Sequence, residues 1–140
     1  MGEWELPRVP GPGPDILILS PASTREIDSR GSYLALAVAS LCNILTPELR
    51  EGAADYLLRC QTYEGGFGGE PGNEAHGGYN YCAVAALCLL GELDKANLPA
   101  LTRWLCRMQV KREGGFRGRT NKLVDSCYSF WQGAVGQLLP

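Results

Sequence analysis

Glu64-Gly-Gly-Phe67-Gly-Gly69 and Glu113-Gly-Gly-Phe116-Arg-Gly118 are two copies of one glycine-rich motif. They start 49 residues apart (113 − 64 = 49). The alignment continues past the motif without a gap, so that Tyr128 matches Tyr79. A weaker third copy precedes both, because residues 28–41 match residues 76–89 at an offset of 48. A period close to 50 residues indicates a tandem array of one supersecondary unit.

Each unit combines two kinds of helix. The segments after the glycine motifs are apolar on nearly all sides, which is typical of buried helices, whereas those before the motifs are amphipathic. The pattern predicts helices over Ser32–Ile44, from Pro47 after the cap Thr46, over Tyr79–Leu90, from Asn97 and Pro99, and from about Asp125 to the end. We expect an all-α partial α-α barrel of two concentric layers, with repeats at about 28–49, 50–91 and 98–140; a superhelical solenoid is the alternative. From their spacing alone, the glycines are expected to form the connections between these helices.

Residues 1–22 differ from the rest of the chain. Pro7, Pro10 and Pro12 alternate with glycines in a turn-rich stretch, which predicts poor order there and a barrel unit over 23–140. The net charge of −2 indicates no overall attraction to nucleic acid or to an anionic membrane. No apolar run approaches the roughly 20 residues of a membrane-spanning helix, and no signal sequence is recognisable, so the expected location is the cytosol. Cys42, Cys88 and Cys106 lie in helical patterns and are expected to be small buried hydrophobes.

Both glycine loops lead to the N-terminus of an inner helix, at one rim of the predicted barrel. Helix N-termini favour anions because their free N–H groups and dipole are positive. The side chains expected at this rim are His76, Arg119, Lys122, Asp125, Cys127 and Tyr128. Three of them can carry positive charge and one is a phenol, a set that suits a diphosphate.

The same residues also have ordinary interpretations. Asp125 and Cys127 have ligand types that zinc accepts, two residues apart at a helix start. However, Asp125 also fits a plain N-cap, Cys127 a small first-turn residue, and His76 a loop or cap residue. Spacing alone leaves these alternatives open.

Two longer strings resemble the β subunits of protein prenyltransferases. They are Glu74-Ala-His76-Gly-Gly-Tyr79 and Gly118-Arg119-Thr-Asn-Lys122-Leu-Val-Asp125-Ser-Cys127-Tyr128-Ser-Phe-Trp131-Gln132. The resemblance covers roughly residues 28–140. It implies an α-α barrel enclosed by a helical α subunit, and transfer of an isoprenoid from its diphosphate to the cysteine of a C-terminal CaaX sequence.

The resemblance also implies roles for single residues. Asp125 and Cys127 correspond to two of three zinc ligands, the third being a histidine. The family's diphosphate-binding positions fall on His76, Arg119, Lys122 and Tyr128. Its isoprenoid and peptide pocket falls on Arg30, Tyr33, Tyr79, Cys82 and Trp131, with Asp28 close by. The histidine ligand has no counterpart here, since His76 is the single histidine, so the chain alone is expected to have little or no activity.

Details of the strings favour the farnesyl branch of the family. Tyr79 follows His-Gly-Gly, and Leu123-Val124 and Phe130-Trp131-Gln132 fit farnesyltransferases better than type I geranylgeranyltransferases. The alternatives are a type I protein geranylgeranyltransferase β subunit, a non-catalytic truncated form that acts as an interaction module, and an unrelated helical scaffold. Expected ligands and partners are Zn²⁺, farnesyl diphosphate, CaaX-protein C-termini and an α subunit.

Overall fold

The computed structural model of the chain describes residues 28–140, so the predicted poor order of residues 1–22 lies outside the described part. The helices are α1 (Ser29–Leu41), α2 (Pro47–Arg50), α3 (Ala53–Arg59), α4 (Gly77–Leu90), α5 (Leu98–Met108), α6 (Tyr128–Trp131) and α7 (Gly133–Leu138), with a 3-10 turn at Leu93–Lys95. No helix among these residues combines the length and apolarity needed to cross a bilayer.

Helix α4 is the centre of the described fold. It contacts four other helices, α1, α3, α6 and α7. Its residues from Cys82 to Leu87 are all buried, as the apolar pattern on every side predicted. Helix α5 is amphipathic and buries Leu101, Trp104 and Leu105. The expected contrast between a buried helix and an amphipathic one is therefore present in α4 and α5.

The two glycine loops have the same backbone hydrogen bonds. Gly68 N–H donates to Cys60 O at 2.9 Å, and its counterpart Arg117 N–H donates to Met108 O at 3.0 Å. Further on, His76 N–H donates to Phe67 O and Asp125 N–H to Phe116 O, both at 3.1 Å. The 49-residue offset of the sequence is thus also a structural repeat.

One side-chain-to-backbone hydrogen bond recurs at or just before three helix starts. Asp28 Oδ1 accepts from Arg30 N–H at 2.8 Å. His76 Nδ1 accepts from Gly78 N–H at 3.1 Å. Asp125 Oδ1 accepts from the N–H of Cys127 at 2.9 Å. Asp28 and His76 are ordinary N-caps of α1 and α4, whereas the Asp125 bond closes the turn before α6, whose N-cap is Cys127. The weak third copy that begins at Asp28 therefore belongs to the array.

Neighbouring repeats are also joined through these helix starts. Ser29 N–H donates to Gly69 O at 2.9 Å, and Gly77 N–H donates to Gly118 O at 2.7 Å. In both pairs the donor follows a cap residue and the acceptor is the last glycine of the next motif. Each loop is therefore attached to the inner helix of the preceding repeat.

Two glycines of the first motif have physical requirements of their own. Gly65 has φ of 112°, in the region that favours glycine. At Gly66, a Cβ atom would lie 2.6 Å from the indole of Trp104. The first glycine permits the turn, and the second lets the loop lie on a buried tryptophan.

Three predicted helix boundaries were wrong. The first helix covers Ser29–Leu41, three residues earlier at each end than predicted. The helix expected from Pro47 onward is two helices, because Gly52 adopts φ of 70° and interrupts it. The last helix starts at Tyr128 and is broken at Gln132, while Asp125 forms the capping turn before it.

The burial predicted for α1 and two cysteines was also wrong. Leu34, Val38 and Leu41 of α1 are 64%, 48% and 88% exposed. They lie on one face of the helix (i, i+4, i+7), away from the residues that α1 buries. Cys42 and Cys106 are exposed as well. An apolar helix is buried only where a neighbouring element covers it.

Candidate functional site

His76 and Tyr128 meet at the start of α4. The imidazole Nε2 and the phenol Oη are 3.0 Å apart, and the ring centroids are 5.6 Å apart. The two residues come from successive repeats, 52 positions apart. Gly118 makes this possible, because a Cβ there would lie 2.2 Å from Cζ of Tyr128. The structure thus brings these two predicted site residues into contact.

Hydrogen bonding assigns the tautomer of His76. Its Nδ1 accepts from Gly78 N–H, so in the neutral ring the proton is on Nε2. Nε2–H then donates to Tyr128 Oη, which leaves the Tyr128 O–H free to donate to a ligand. If the imidazole were protonated, its Nδ1–H and the Gly78 N–H would be two hydrogen-bond donors facing each other.

The pKa of His76 is lowered from its ordinary value of 6.5. Burial is the main cause, Arg119 adds to it, and Glu74 opposes it. The histidine is therefore neutral near pH 7. In the ligand-free site, the lowered pKa thus favours the neutral imidazole, which donates from Nε2 to Tyr128.

Arg119 reaches the same rim from the second loop. Its Nη1 lies 3.0 Å from Oε2 of Glu74, and both side chains are roughly half exposed. Its positive charge contributes to lowering the pKa of His76. Lys122 is exposed, and its side chain makes no ion pair or hydrogen bond with residues 28–140. Of these two predicted cations, Arg119 is held at the rim by Glu74, whereas the exposed side chain of Lys122 is not held by a partner within residues 28–140.

Asp125 and Cys127 form an exposed pair at the turn before α6. The pKa of Cys127 is raised, mainly by its hydrogen bond to the Asp125 side chain, and the pKa of Asp125 is lowered by the Cys127 N–H. A carboxylate and a thiol this close have the chemistry of two zinc ligands. Among residues 28–140, no third His, Cys, Asp or Glu joins them in a group that could hold a metal. The pair therefore fits one part of a zinc site.

A second group of predicted residues lies at the start of α1. Arg30 donates from Nε to Asp28 at 2.8 Å, and its guanidinium carbon lies 5.3 Å from the ring centre of Tyr79. Tyr79 is also edge-on to His76, with centroids 5.5 Å apart. Cys82 is buried, and its pKa is raised to about 11, first by burial and then by Asp28. These residues connect the His76 pair to the neighbouring helix start.

An aromatic row completes the inner surface. Tyr33 and Trp131 each pack edge-on against Tyr81, with centroids 5.7 and 5.4 Å away. Phe130 packs on both Tyr81 and Trp131 and is still 55% exposed. The sequence analysis gave Tyr81 no role, because its importance depends on three helices meeting at one ring. Phe130 was quoted only as part of a motif.

The comparisons with known proteins agree with this geometry. The family model described as "Prenyltransferase alpha-alpha toroid domain" matches residues 16–140. The chain belongs to this family.

Relatives within the family are more specific. The chain is 57% identical over 114 residues to the protein farnesyltransferase subunit beta of Arabidopsis thaliana and to that of Pisum sativum, covering 81% of this chain. It is 41% identical to the geranylgeranyl transferase type-1 subunit beta of Arabidopsis thaliana, over the same share of the chain. Farnesyltransferase β subunits are thus favoured over that geranylgeranyl relative. The chain spans about a quarter of the length of the two farnesyltransferase relatives, 23% and 27%.

A solved structure has the same fold. It is described as "Candida albicans protein geranylgeranyltransferase-I complexed with GGPP" and superposes with a TM-score of 0.72 at 31% identity. The match covers 80% of this chain and 35% of that one. The expected α-α barrel architecture is thereby confirmed.

Proposed function

We propose that this chain is part of the β subunit of a zinc-dependent protein farnesyltransferase, which transfers farnesyl from its diphosphate to the cysteine of C-terminal CaaX sequences. The observation that carries this proposal is the pairing of His76 with Tyr128 beside Arg119, directly before the Asp125–Cys127 turn. Side chains that can bind an anion then lie next to side chains that can ligate a metal. The proposed transfer from a diphosphate to a thiol requires both. The identity to farnesyltransferase β subunits supports the choice of isoprenoid.

The rim residues would bind the leaving diphosphate. Negative charge grows on that group as its bond to carbon 1 of farnesyl breaks. Arg119 supplies a charge-assisted hydrogen bond, and the Tyr128 hydroxyl, oriented by His76, supplies a neutral one. Lys122 would join them by rotating its exposed side chain. Donors already in place where charge develops stabilise the transition state more than the substrate, and this raises the rate.

The other predicted residues would hold the substrates. Asp125 and Cys127 would provide two zinc ligands, and a further protein ligand is needed from outside residues 28–140. Zinc, when bound, would keep the CaaX thiol ionised near neutral pH. Tyr33, Tyr79, Trp131, Cys82 and Arg30 would line the isoprenoid and peptide pocket and exclude water. An α subunit as partner, a cytosolic location, and little or no activity of this chain by itself belong to the same proposal.

Cobalt binding tests the metal half of the proposal. Co²⁺ bound to a thiolate absorbs in the near ultraviolet. When Co²⁺ is added, the chain should develop this absorption band. The band should be weak, because residues 28–140 provide only two protein ligands. Cys127→Ala should abolish it, while Cys106→Ala, a change at another exposed cysteine, should not. An equal band in Cys127→Ala would contradict the assignment.

A transfer assay tests the reaction itself. The full-length parent protein, purified with an α subunit, should transfer farnesyl from its diphosphate to a CaaX peptide. The expected preference is for farnesyl over geranylgeranyl. Preference for geranylgeranyl would favour the alternative type I enzyme, and binding of the α subunit without transfer would favour an interaction module.

A further inference from the structure

Glu74 forms an ion pair with Arg119, the positive charge that the proposed diphosphate would need. Its Oε2 lies 3.0 Å from Nη1 of Arg119. The residue precedes His76 by two positions and lies in the first glycine loop, whereas Arg119 lies in the second. The carboxylate is therefore an anion of the protein itself at the candidate anion site.

This ion pair is not what holds the second loop in place. Gly77 N–H donates to Gly118 O at 2.7 Å, one residue before Arg119. Thr120, one residue after Arg119, donates from Oγ1 to Oε1 of Glu64 at 2.9 Å. The residues on both sides of Arg119 are thus held by other contacts. Half-exposed ion pairs contribute little to stability, so a structural role explains Glu74 poorly.

We propose that Glu74 is an internal competitor for the anionic ligand, an inference that rests on the proposed function. In the free site its carboxylate pairs with Arg119. When a diphosphate binds, Arg119 exchanges the carboxylate for a phosphoryl oxygen, and Glu74 turns to solvent. A ligand with about three negative charges attracts Arg119 more strongly than a single carboxylate does. Glu74 also repels the ligand, so it lowers affinity for every anion at the rim.

Binding of inorganic pyrophosphate to the full 140-residue chain tests the proposal, with backbone amide shifts in NMR as the readout. Glu74→Gln keeps the size of the side chain and an oxygen that can accept from Arg119, but it removes the charge. It should bind pyrophosphate roughly 2- to 10-fold more tightly. The gain should shrink at high salt, because screening weakens exposed charges.

Glu70→Gln is the matched control, since Glu70 is an exposed carboxylate of the same loop and the change in net charge is identical. Its affinity should stay within about 1.5-fold of wild type. Arg119→Gln should bind more weakly than wild type. When Arg119→Gln is already present, adding Glu74→Gln should increase the affinity for pyrophosphate by less than it does in the wild-type chain. Circular dichroism should show unchanged helix content in all variants.

The possible failures are distinguishable. Equal or weaker binding by Glu74→Gln, with wild type binding and Arg119→Gln impaired, overturns the competitor role and leaves the anion site intact. An equal gain in Glu70→Gln overturns it too, because the effect would be one of net charge. Absence of pyrophosphate binding in both wild type and Glu74→Gln overturns the proposed anion site together with this inference.

Discussion

The two glycine loops have nearly the same backbone and very different surroundings. In the first loop, Gly65 to Gly69 are all buried and Phe67 has no exposed surface. In the second, Gly114 is exposed and Phe116 is only partly buried. The first loop is packed between helices on both sides, whereas the second lies where the described array ends. The comparison shows that the motif specifies a backbone, while the neighbouring repeat determines its burial.

The two loops also divide the chemistry. The first loop contributes His76 and Glu74 to the rim, and the second contributes Arg119 and the turn that holds Asp125 and Cys127. Asp125 lies at the position that corresponds to His76 and makes the same hydrogen bond to the N–H two residues later. The scaffold is thus repeated and the candidate site side chains are not. This is the usual relation between a fold and a site placed on it.

The largest expected difference between the loops concerns their phenylalanines. Phe67→Ala should destabilise the chain by about 3–5 kcal/mol, since it empties a fully buried site. Phe116→Ala should cost about 1–2 kcal/mol, because its ring already contacts solvent. Urea denaturation of the two variants measures both values. Equal losses would mean that the loops are equally packed in solution.

The next effect concerns the last glycine of each motif. At Gly118 a Cβ would lie 2.2 Å from the Tyr128 ring, whereas at Gly69 it would lie 3.1 Å from Tyr79. Gly118→Ala should therefore cost about 1–3 kcal/mol and displace Tyr128 from His76, and Gly69→Ala should cost less. Thermal unfolding gives the stabilities, and the His76 NMR signal reports the displacement.

Gly133→Ala is the control for that experiment, because a Cβ there meets nothing within 4 Å. It lies in helix α7 and should be neutral or stabilising, since alanine favours helices more than glycine does. If Gly118→Ala behaved like this control, the close approach of Tyr128 would not exist in solution.

The smallest effect is the titration of His76. As the single histidine of the chain, it gives one resolvable ring signal, whose pKa should lie below 6.5. Glu74→Gln should lower this pKa further, and Arg119→Gln should raise it, because the first removes a negative charge and the second a positive one.

The same titration affects stability. Because the folded pKa of His76 is below the unfolded one, the unfolded chain binds more protons between the two values. The contribution of His76 to stability is thus present above about pH 6.5 and is lost as the pH falls through the folded pKa. Thermal melts of wild type and His76→Asn between pH 7.5 and 5 would measure this loss. An equal decrease in both proteins would contradict it.

Much of this could be predicted from sequence because the repeat encodes it locally. The glycine motifs, the apolar α4 and the positions of His76 and Tyr128 all follow from period and side-chain chemistry. What could not be predicted depends on neighbours in space. The exposure of Leu34 on α1, the meeting of three rings at Tyr81 and the pairing of Glu74 with Arg119 require knowing which elements lie next to each other. The break at Gly52 was missed because the apolar spacing continues through it.

One difference between the loops lies ahead of the glycines. Gln61 Nε2 donates to Gly65 O at 2.9 Å, and Gln109 Nε2 donates to Gly114 O at 3.0 Å, although the second segment is one residue longer. The extra residue is absorbed in the turn, and the later bonds from Arg117 and Asp125 match those from Gly68 and His76. Length changes in this turn are therefore uncoupled from the rim, so evolution or an engineer can lengthen the outer face without moving the residues that would contact substrate.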